Sequence, residues 1–317
     1  MSVAWNPAQM QVPWTESPFF AELLATSALS GQQRAMAEAF SKDGYIVLSP
    51  SSPEFANTVA ALRAAPPSFS GDRGTDLWRT DARVRSLALA PEVLAACNML
   101  YRRDPIAFQT LNFLRGTQQP THSDAIHFHA FPQRFLCGAW VALEDIDEEN
   151  GPLHIFPGSH RLPLYDMHDI GLPSSRDAYP AYEEAIGRLA TALGLQKRAV
   201  TVRAGQVVLW AANLLHGGEP IRNAARTRLS QVTHYVFRDC MYYAPILSDP
   251  FAGCVRLRNI VDIATGKPVP HVYRGAPLRV SPDQAFWQDP SLGTFLHTVF
   301  ARALRALEKV AARLGVR

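Results

Sequence analysis

The sequence predicts a mainly β domain, a sandwich or barrel with helices against it. From about residue 106 to 240 the chain passes through IAFQTLNFL, AIHFHAF, FLCGAWVAL, LHIF, AVTV, QVVLW and RLSQVTHYVF, β-leaning runs separated by Gly, Pro and Asn. Short strands with turn signals between them belong to stacked or closed antiparallel sheets. A helical third precedes them. Residues 173–194, PSSRDAYPAYEEAIGRLATALG, interrupt them with a helical insertion of the kind that forms a lid beside a site.

Taken in order, GQQRAMAEAFSKD (31–43) repeats apolar residues at helical spacing and stops at Gly44, a suitable C-terminal cap before the strand YIVLS. Residues 52–64 and roughly 81–103 also read as helical, with Pro91 at a break. These segments form a helical buttress over about 30–104, followed by the β core over about 105–240. After 240 the prolines Pro245, Pro250, Pro268 and Pro270 mark long connections. A last amphipathic helix is predicted over 290–313, with Leu292, Phe295, Val299, Leu304, Leu307 and Val310 on one face. With no internal repeat, residues 1–317 read as one elaborated domain.

Bulk properties exclude several classes. At 317 residues with 47% hydrophobic content, the chain is long enough to bury a substantial core. A net charge of +3 with scattered basic residues does not indicate nucleic-acid binding. No run of about 18 uncharged apolar residues occurs, and MSVAWNPAQMQVPW lacks the pattern of a secretory leader, so a cytoplasmic location is the default expectation. Cys97, Cys137, Cys240 and Cys254 stand far apart, which implies neither a zinc knuckle nor a disulfide framework.

The chemistry resides in QPTHSDAIHF and NLLHGGEP. On a strand, His122 and Asp124 point the same way while Ser123 faces away, and His216 supplies a third ligand from another segment. Two imidazoles and one carboxylate grip one face of a metal and leave positions open, the arrangement that suits non-haem Fe(II) oxygen chemistry. An isolated H-x-D is commonplace; the arginine downstream raises its value. Arg228, in RTRLSQVTHY, offers a planar fork for the distal carboxylate of 2-oxoglutarate, and Ser230 on the same strand face adds a hydroxyl. Arg226 shares that parity and competes for the role. Together these residues point to Fe(II), 2-oxoglutarate and O2 as cofactor and co-substrates.

Beyond these residues the chain resembles the phytanoyl-CoA dioxygenase superfamily, which includes the ectoine hydroxylases. The resemblance covers about residues 36–240 and is carried by AFSKDGYIVL, HSD, WVALEDIDEENGPLHIFPGSH, AGQVVLWAANLLHGG and RLSQVTHY. It implies a double-stranded β-helix (jelly-roll, cupin-like) core, with His122, Asp124 and His216 as iron ligands and Arg228 as the co-substrate arginine. It also implies that Trp140 lines the 2-oxoglutarate pocket and that Gln109, three before Asn112, makes another co-substrate contact. Ser123 stands where many phytanoyl-CoA enzymes have glutamine, and Gly218 where serine is common; both changes touch the co-substrate's surroundings rather than the iron.

The expected reaction is hydroxylation of an unactivated C–H of a small metabolite, with release of succinate and CO2. Asp124 favours hydroxylation, because halogenating relatives lack that carboxylate. The alternatives are a Zn hydrolase using the same His/Asp/His site or a non-catalytic binding protein. His127 and His129 form an H-x-H pair, but no glutamate follows at the spacing a cupin site needs, and PGSH lacks the frame of a nucleophile elbow. Residues 65–80, 165–190 and 240–275 are the expected pocket walls. Arg73, Arg79, Arg102 and Arg103 are candidates for an anionic group, against the plainer reading of surface charge.

Overall fold

Caps and apolar spacing set the N-terminal helices. The computed structural model describes residues 6–71, 73–251, 253–273 and 275–278, and the backbone of 286–287. A short α1 (Phe20–Ala25) precedes α2 (Gly31–Asp43), which opens on a capping box: the Ser30 hydroxyl accepts from the Gln33 amide, and the Gln33 side chain accepts from the Ser30 amide. Two otherwise orphaned donors are satisfied there. α2 stops where Gly44 takes φ +79, and β1 (Tyr45–Leu48) follows at once. α3 (Pro53–Ala64) starts at Ser52, whose hydroxyl accepts from the Phe55 amide. After β2 (Arg73–Thr75), α4 (Ala82–Ala88) and α5 (Pro91–Tyr101) divide the expected 81–103 helix, with Pro91 in the first turn of α5, where its missing amide costs no hydrogen bond.

The core strands follow: β3 (Pro105–Phe113), β4 (His129–Phe131), β5 (Leu136–Ala142), β6 (Leu153–Ile155), β7 (Arg198–Val200), β8 (Val207–Ala211), β9 (His216–Gly218), β10 (Ser230–Phe237) and β11 (Met241–Tyr243). A six-stranded antiparallel sheet runs β1-β8-β5-β10-β3-β2, a smaller one runs β7-β6-β9, and β4 pairs with β11. The large sheet thus takes its two edge strands from the N-terminal third, beyond the 105–240 stretch assigned to the β core.

Strand alternation sorts the large sheet's side chains into two layers. Cys137, Ala139 and Val141 of β5 pack with Phe40, Leu62, Val84 and Val93 of the helices, which form the buttress. Trp140 and Ala142 point the opposite way and join Val208, Trp210 and Val232 against Ile155 and Val200 of the small sheet. Two antiparallel sheets enclosing an inner core make the expected jelly roll. The insertion contributes α6 (Tyr179–Ala192), which buries Tyr182, Ile186 and Ala190 against Ile126, Phe156 and Leu215 at one end of the roll.

Part of AIHFHAF departs from the expected strand. Asp124–Ile126 form a 3-10 turn, because the Ser123 hydroxyl accepts from the Ala125 amide and starts a helical turn there. The predicted helix over 290–313 lies outside the described residues. Among the described residues no helix is long and apolar enough to cross a membrane.

Two stability outcomes follow from this packing. A methyl group at Gly44 would overlap the His160 ring and would hold an L-residue in the left-handed region. Gly44→Ala is therefore expected to cost about 1–2 kcal/mol for the backbone alone, read as a lowered urea midpoint. His129 and His160 are kept neutral chiefly by burial, their pKa values pushed down to about 3 and about 4. The unfolded chain takes up these protons near 6.5, so stability is full above about pH 6.5 and falls as pH drops toward 4. Urea midpoints measured between pH 7 and pH 4.5 should decline across that window.

Candidate active site

His122 and His216 face each other across a backbone bridge. The His122 amide donates to the His216 carbonyl at 2.9 Å, and the His216 amide returns a bond to the His122 carbonyl at 3.0 Å. His122 Nδ1 lies 2.9 Å from the Pro120 carbonyl, and His216 Nδ1 lies 2.9 Å from the Leu214 carbonyl. A carbonyl only accepts, so each Nδ1 carries the proton and each Nε2 presents a lone pair to the centre. Asp124 completes the set, with its carboxylate oxygens 3.9 Å from His122 Nε2 and 3.8 Å from His216 Nε2. The three ligand atoms all lie within 4.8 Å of one another. Donors about 2.1 Å from a shared ion and set on one face stand roughly 3 Å apart, so the set must close by about 1–2 Å to seat an ion.

The electrostatics suit ligation, which requires neutral imidazole and ionised carboxylate. Burial, reinforced by the neighbouring His216, pushes His122 down to about 3. Burial alone would raise the Asp124 carboxyl, but the imidazoles of His216, His234 and His122 outweigh it and hold the group well below the usual carboxylate range. Contrary to what the H-x-D spacing predicts, His122 and Asp124 do not share a regular strand. An extended Ser123 joins the bridged His122 to the 3-10 turn at Asp124, and its hydroxyl turns away to donate to the Ala212 carbonyl.

Two contacts on Asp124 are absent from the sequence reading. Trp210 Nε1 donates to Oδ2 at 2.9 Å, and His234 Nε2 stands 3.4 Å from the same oxygen. The Trp210 indole lies against Gly138 of the neighbouring strand, where a Cβ would overlap the ring. Parity along β10 carries a signal for His234, since it shares a face with Arg228, Ser230 and Val232. Trp210 had no such signal.

A cavity of about 430 Å³ opens from the triad, and Arg228, Trp140, Gln109 and His234 contribute to its wall. Arg228 is 2% exposed, and its Nε and Nη1 have no hydrogen-bond acceptor among the described residues; the same holds for Trp140 Nε1. The guanidinium carbon sits 5.2 Å from the Trp140 ring and 5.8 Å from the Phe113 ring. Burial lowers the Arg228 pKa to about 10, which leaves it cationic at neutral pH. A buried cation with unused donors is costly unless an anion meets it, so the wall fits a carboxylate ligand such as 2-oxoglutarate. Ser230 is fully buried, its hydroxyl donating to the Arg228 carbonyl at 3.4 Å, and it is not among the residues that line the cavity. Arg226 points elsewhere, paired with both oxygens of Asp147 at 2.7 Å, so its charge is already met.

The remaining motifs fall into place around this centre. His127 and Phe128 line the cavity, whereas His129 lies buried on β4, with its Nε2 accepting from the Arg134 amide at 3.4 Å. PGSH forms a turn whose Ser159 hydroxyl accepts from the Leu215 amide, tethering the approach to His216. In ENGPL, the buried Asn150 donates to the carbonyls of Asp145 and Thr227 and ties that loop to the start of the Arg228 segment. Each of the three expected wall segments reaches the cavity, through Arg73, Arg176 and Arg258 among others. Arg79 stacks on Trp78, Arg102 on Trp14 and Arg103 on Phe135, away from it.

The profile of the phytanoyl-CoA dioxygenase (PhyH) family matches residues 54–229, which include the triad and Arg228. The chain belongs to this family. It is 29% identical over 161 residues to the peroxisomal phytanoyl-CoA dioxygenase of Rattus norvegicus, an overlap of 48% of this chain and 42% of that protein. The match therefore spans less than half the length of that relative. A phytanoyl-CoA dioxygenase domain-containing protein 1 from Danio rerio is 35% identical over 75 residues, 22% of this chain and 26% of that one. Among solved structures, the epimerase SnoN in complex with Fe3+, alpha ketoglutarate and nogalamycin RO aligns with a TM-score of 0.52 at 21% identity, covering 80% of this chain and 97% of that one. EctD from S. alaskensis with bound Fe gives 0.52 at 22% identity, covering 79% and 89%. At these identities the likeness is one of fold, and it places the family's jelly roll on most of this chain.

Trp210→Phe keeps the ring but removes the donor that orients Asp124. Metal affinity is expected to fall on the order of ten-fold, read by Co(II) titration monitored by absorbance, with the fold unchanged by circular dichroism.

Proposed function

We propose that this protein is an Fe(II)- and 2-oxoglutarate-dependent dioxygenase that hydroxylates an unactivated C–H of a small molecule. The observation that carries this reading is Arg228, a buried guanidinium with unused donors in the same cavity as the His122, Asp124 and His216 set. A Zn hydrolase built on the same ligands would leave that cation without a purpose. Bound Fe(II) and 2-oxoglutarate would supply O2 activation coupled to oxidative decarboxylation, giving succinate and CO2. The protein's part is to hold and orient. His122, Asp124 and His216 grip one face of the ion, and Arg228 receives the distal carboxylate as a fork. Trp140 and Gln109 form the adjoining wall, and Asp124 fills the protein-donated oxygen position that favours hydroxylation over halogenation. The ligands are 5–6% exposed, which keeps bulk water from the reacting face. The buried thiols Cys97, Cys137 and Cys240 support a reducing, cytoplasmic setting.

Anaerobic addition of Fe(II) and then 2-oxoglutarate is expected to produce a weak visible charge-transfer band, and admission of air should release succinate. Arg228→Gln should raise the 2-oxoglutarate concentration for half-saturation by about two orders of magnitude, whereas Arg226→Gln should leave it unchanged. A protein with neither band nor succinate is not a dioxygenase of this kind.

A further inference from the structure

The cavity holds a second, half-buried cation that is neither a metal ligand nor the co-substrate arginine. Arg258 enters from the segment after β11, its amide donating to the Tyr242 carbonyl at 3.0 Å. Its guanidinium carbon stands 4.9 Å from the Phe128 ring centroid and 5.8 Å from that of Phe108. Nη1 reaches the His127 carbonyl only at 3.5 Å, and among the described residues no carboxylate forms an ion pair with it. Arg73 from β2 and Arg176 from the insertion line the same cavity and are themselves exposed. Arg176 is near enough to act with burial in lowering the Arg258 pKa, which Asp76 only partly offsets. Asp124, committed to the metal site, is the sole carboxylate among the cavity's lining residues.

Like charges gathered on an apolar wall repel one another and raise the local concentration of anions. We infer that the primary substrate carries an acid group, a carboxylate or a phosphate, seated on Arg258 with Arg73 and Arg176 at the mouth. Phe128 sets the reach. Its ring lies 4.7 Å from the His234 ring, and His234 Nε2 is 3.4 Å from Asp124. An acid on Arg258 is therefore separated from the metal ligand Asp124 by the Phe128 and His234 rings, and the body of the molecule lies across them toward the open face. The turnover of that molecule rests on the dioxygenase reading; the binding of its acid group does not.

The test is calorimetry on the full chain, loaded anaerobically with Fe(II) and saturating 2-oxoglutarate so that Arg228 is occupied. Phenyl phosphate, phenylacetate and the neutral benzyl alcohol are the probes. At least one acid should bind about ten-fold or more tightly than the alcohol, as a charged hydrogen-bonded partner confers, and added salt should erode the difference. Preference for phenyl phosphate identifies a phosphate ester as the substrate class, and preference for phenylacetate a carboxylic acid. Arg258→Gln should abolish the advantage, and Arg258→Lys should keep part of it. Melting temperature and the charge-transfer band serve as fold controls. Equal binding of acids and alcohol by the wild-type protein overturns the inference, as does an undiminished advantage in a folded Arg258→Gln protein. If the wild type shows no band yet binds the acids through Arg258, the acid site stands and the dioxygenase reading falls. If acid binding is lost with Arg228→Gln instead, the acids occupy the co-substrate position and the inference fails.

Discussion

The paired backbone hydrogen bonds between His122 and His216 are the contact on which the site depends. They join a segment that follows the large sheet's β3 to the edge of the small sheet, where β9 is also held by β6 through Ile155 opposite His216. Side chains on a strand alternate faces, so a slip of one residue in either pairing would turn a histidine out of the cavity. Register is therefore the first determinant of the metal site. The Ser159 hydroxyl, accepting from the Leu215 amide, resists such a slip immediately before His216.

Charge is the second determinant. A carboxylate sits at one part of the cavity and an unpaired guanidinium at another, both deeply buried. Each is expensive to remove from water, and each is supported differently. Asp124 accepts from the Trp210 indole N–H and has His234 Nε2 3.4 Å from the same oxygen. Arg228 has aromatic faces, Trp140 and Phe113, near its charge and unused donors toward the cavity. The asymmetry is what gives the cavity a direction, with a cation-binding end and an anion-binding wall.

Much of this was legible along the chain. The Ser30 and Gly44 caps bound α2 because capping uses residues adjacent in sequence. The β10 run could be assigned its inner face because alternation is a property of the strand itself, and the same rule carried four residues past Ser230 would have named His234. The H-x-D pair was legible as chemistry but not as geometry: a single hydroxyl, that of Ser123, replaced the expected strand with a turn. Trp210 and Arg258 could not be found in this way. The first touches Asp124 only because β8 and β5 lie side by side and Gly138 leaves room for the indole. The second reaches the cavity from an irregular segment whose course no periodicity describes.

By itself the sequence determined which chemical groups are present and which neighbours share a face: two imidazoles, one carboxylate, and arginines at strand parity. Only the tertiary structure gave Arg226 and Arg228 different surroundings. Their positions on the strand period are equivalent, but one meets Asp147 at the surface and the other is enclosed among Trp140, Phe113 and the cavity. The physical reason is that backbone hydrogen bonding and side-chain direction are set within a few residues. Burial, counter-charge and convergence are set by strands brought together from distant parts of the chain.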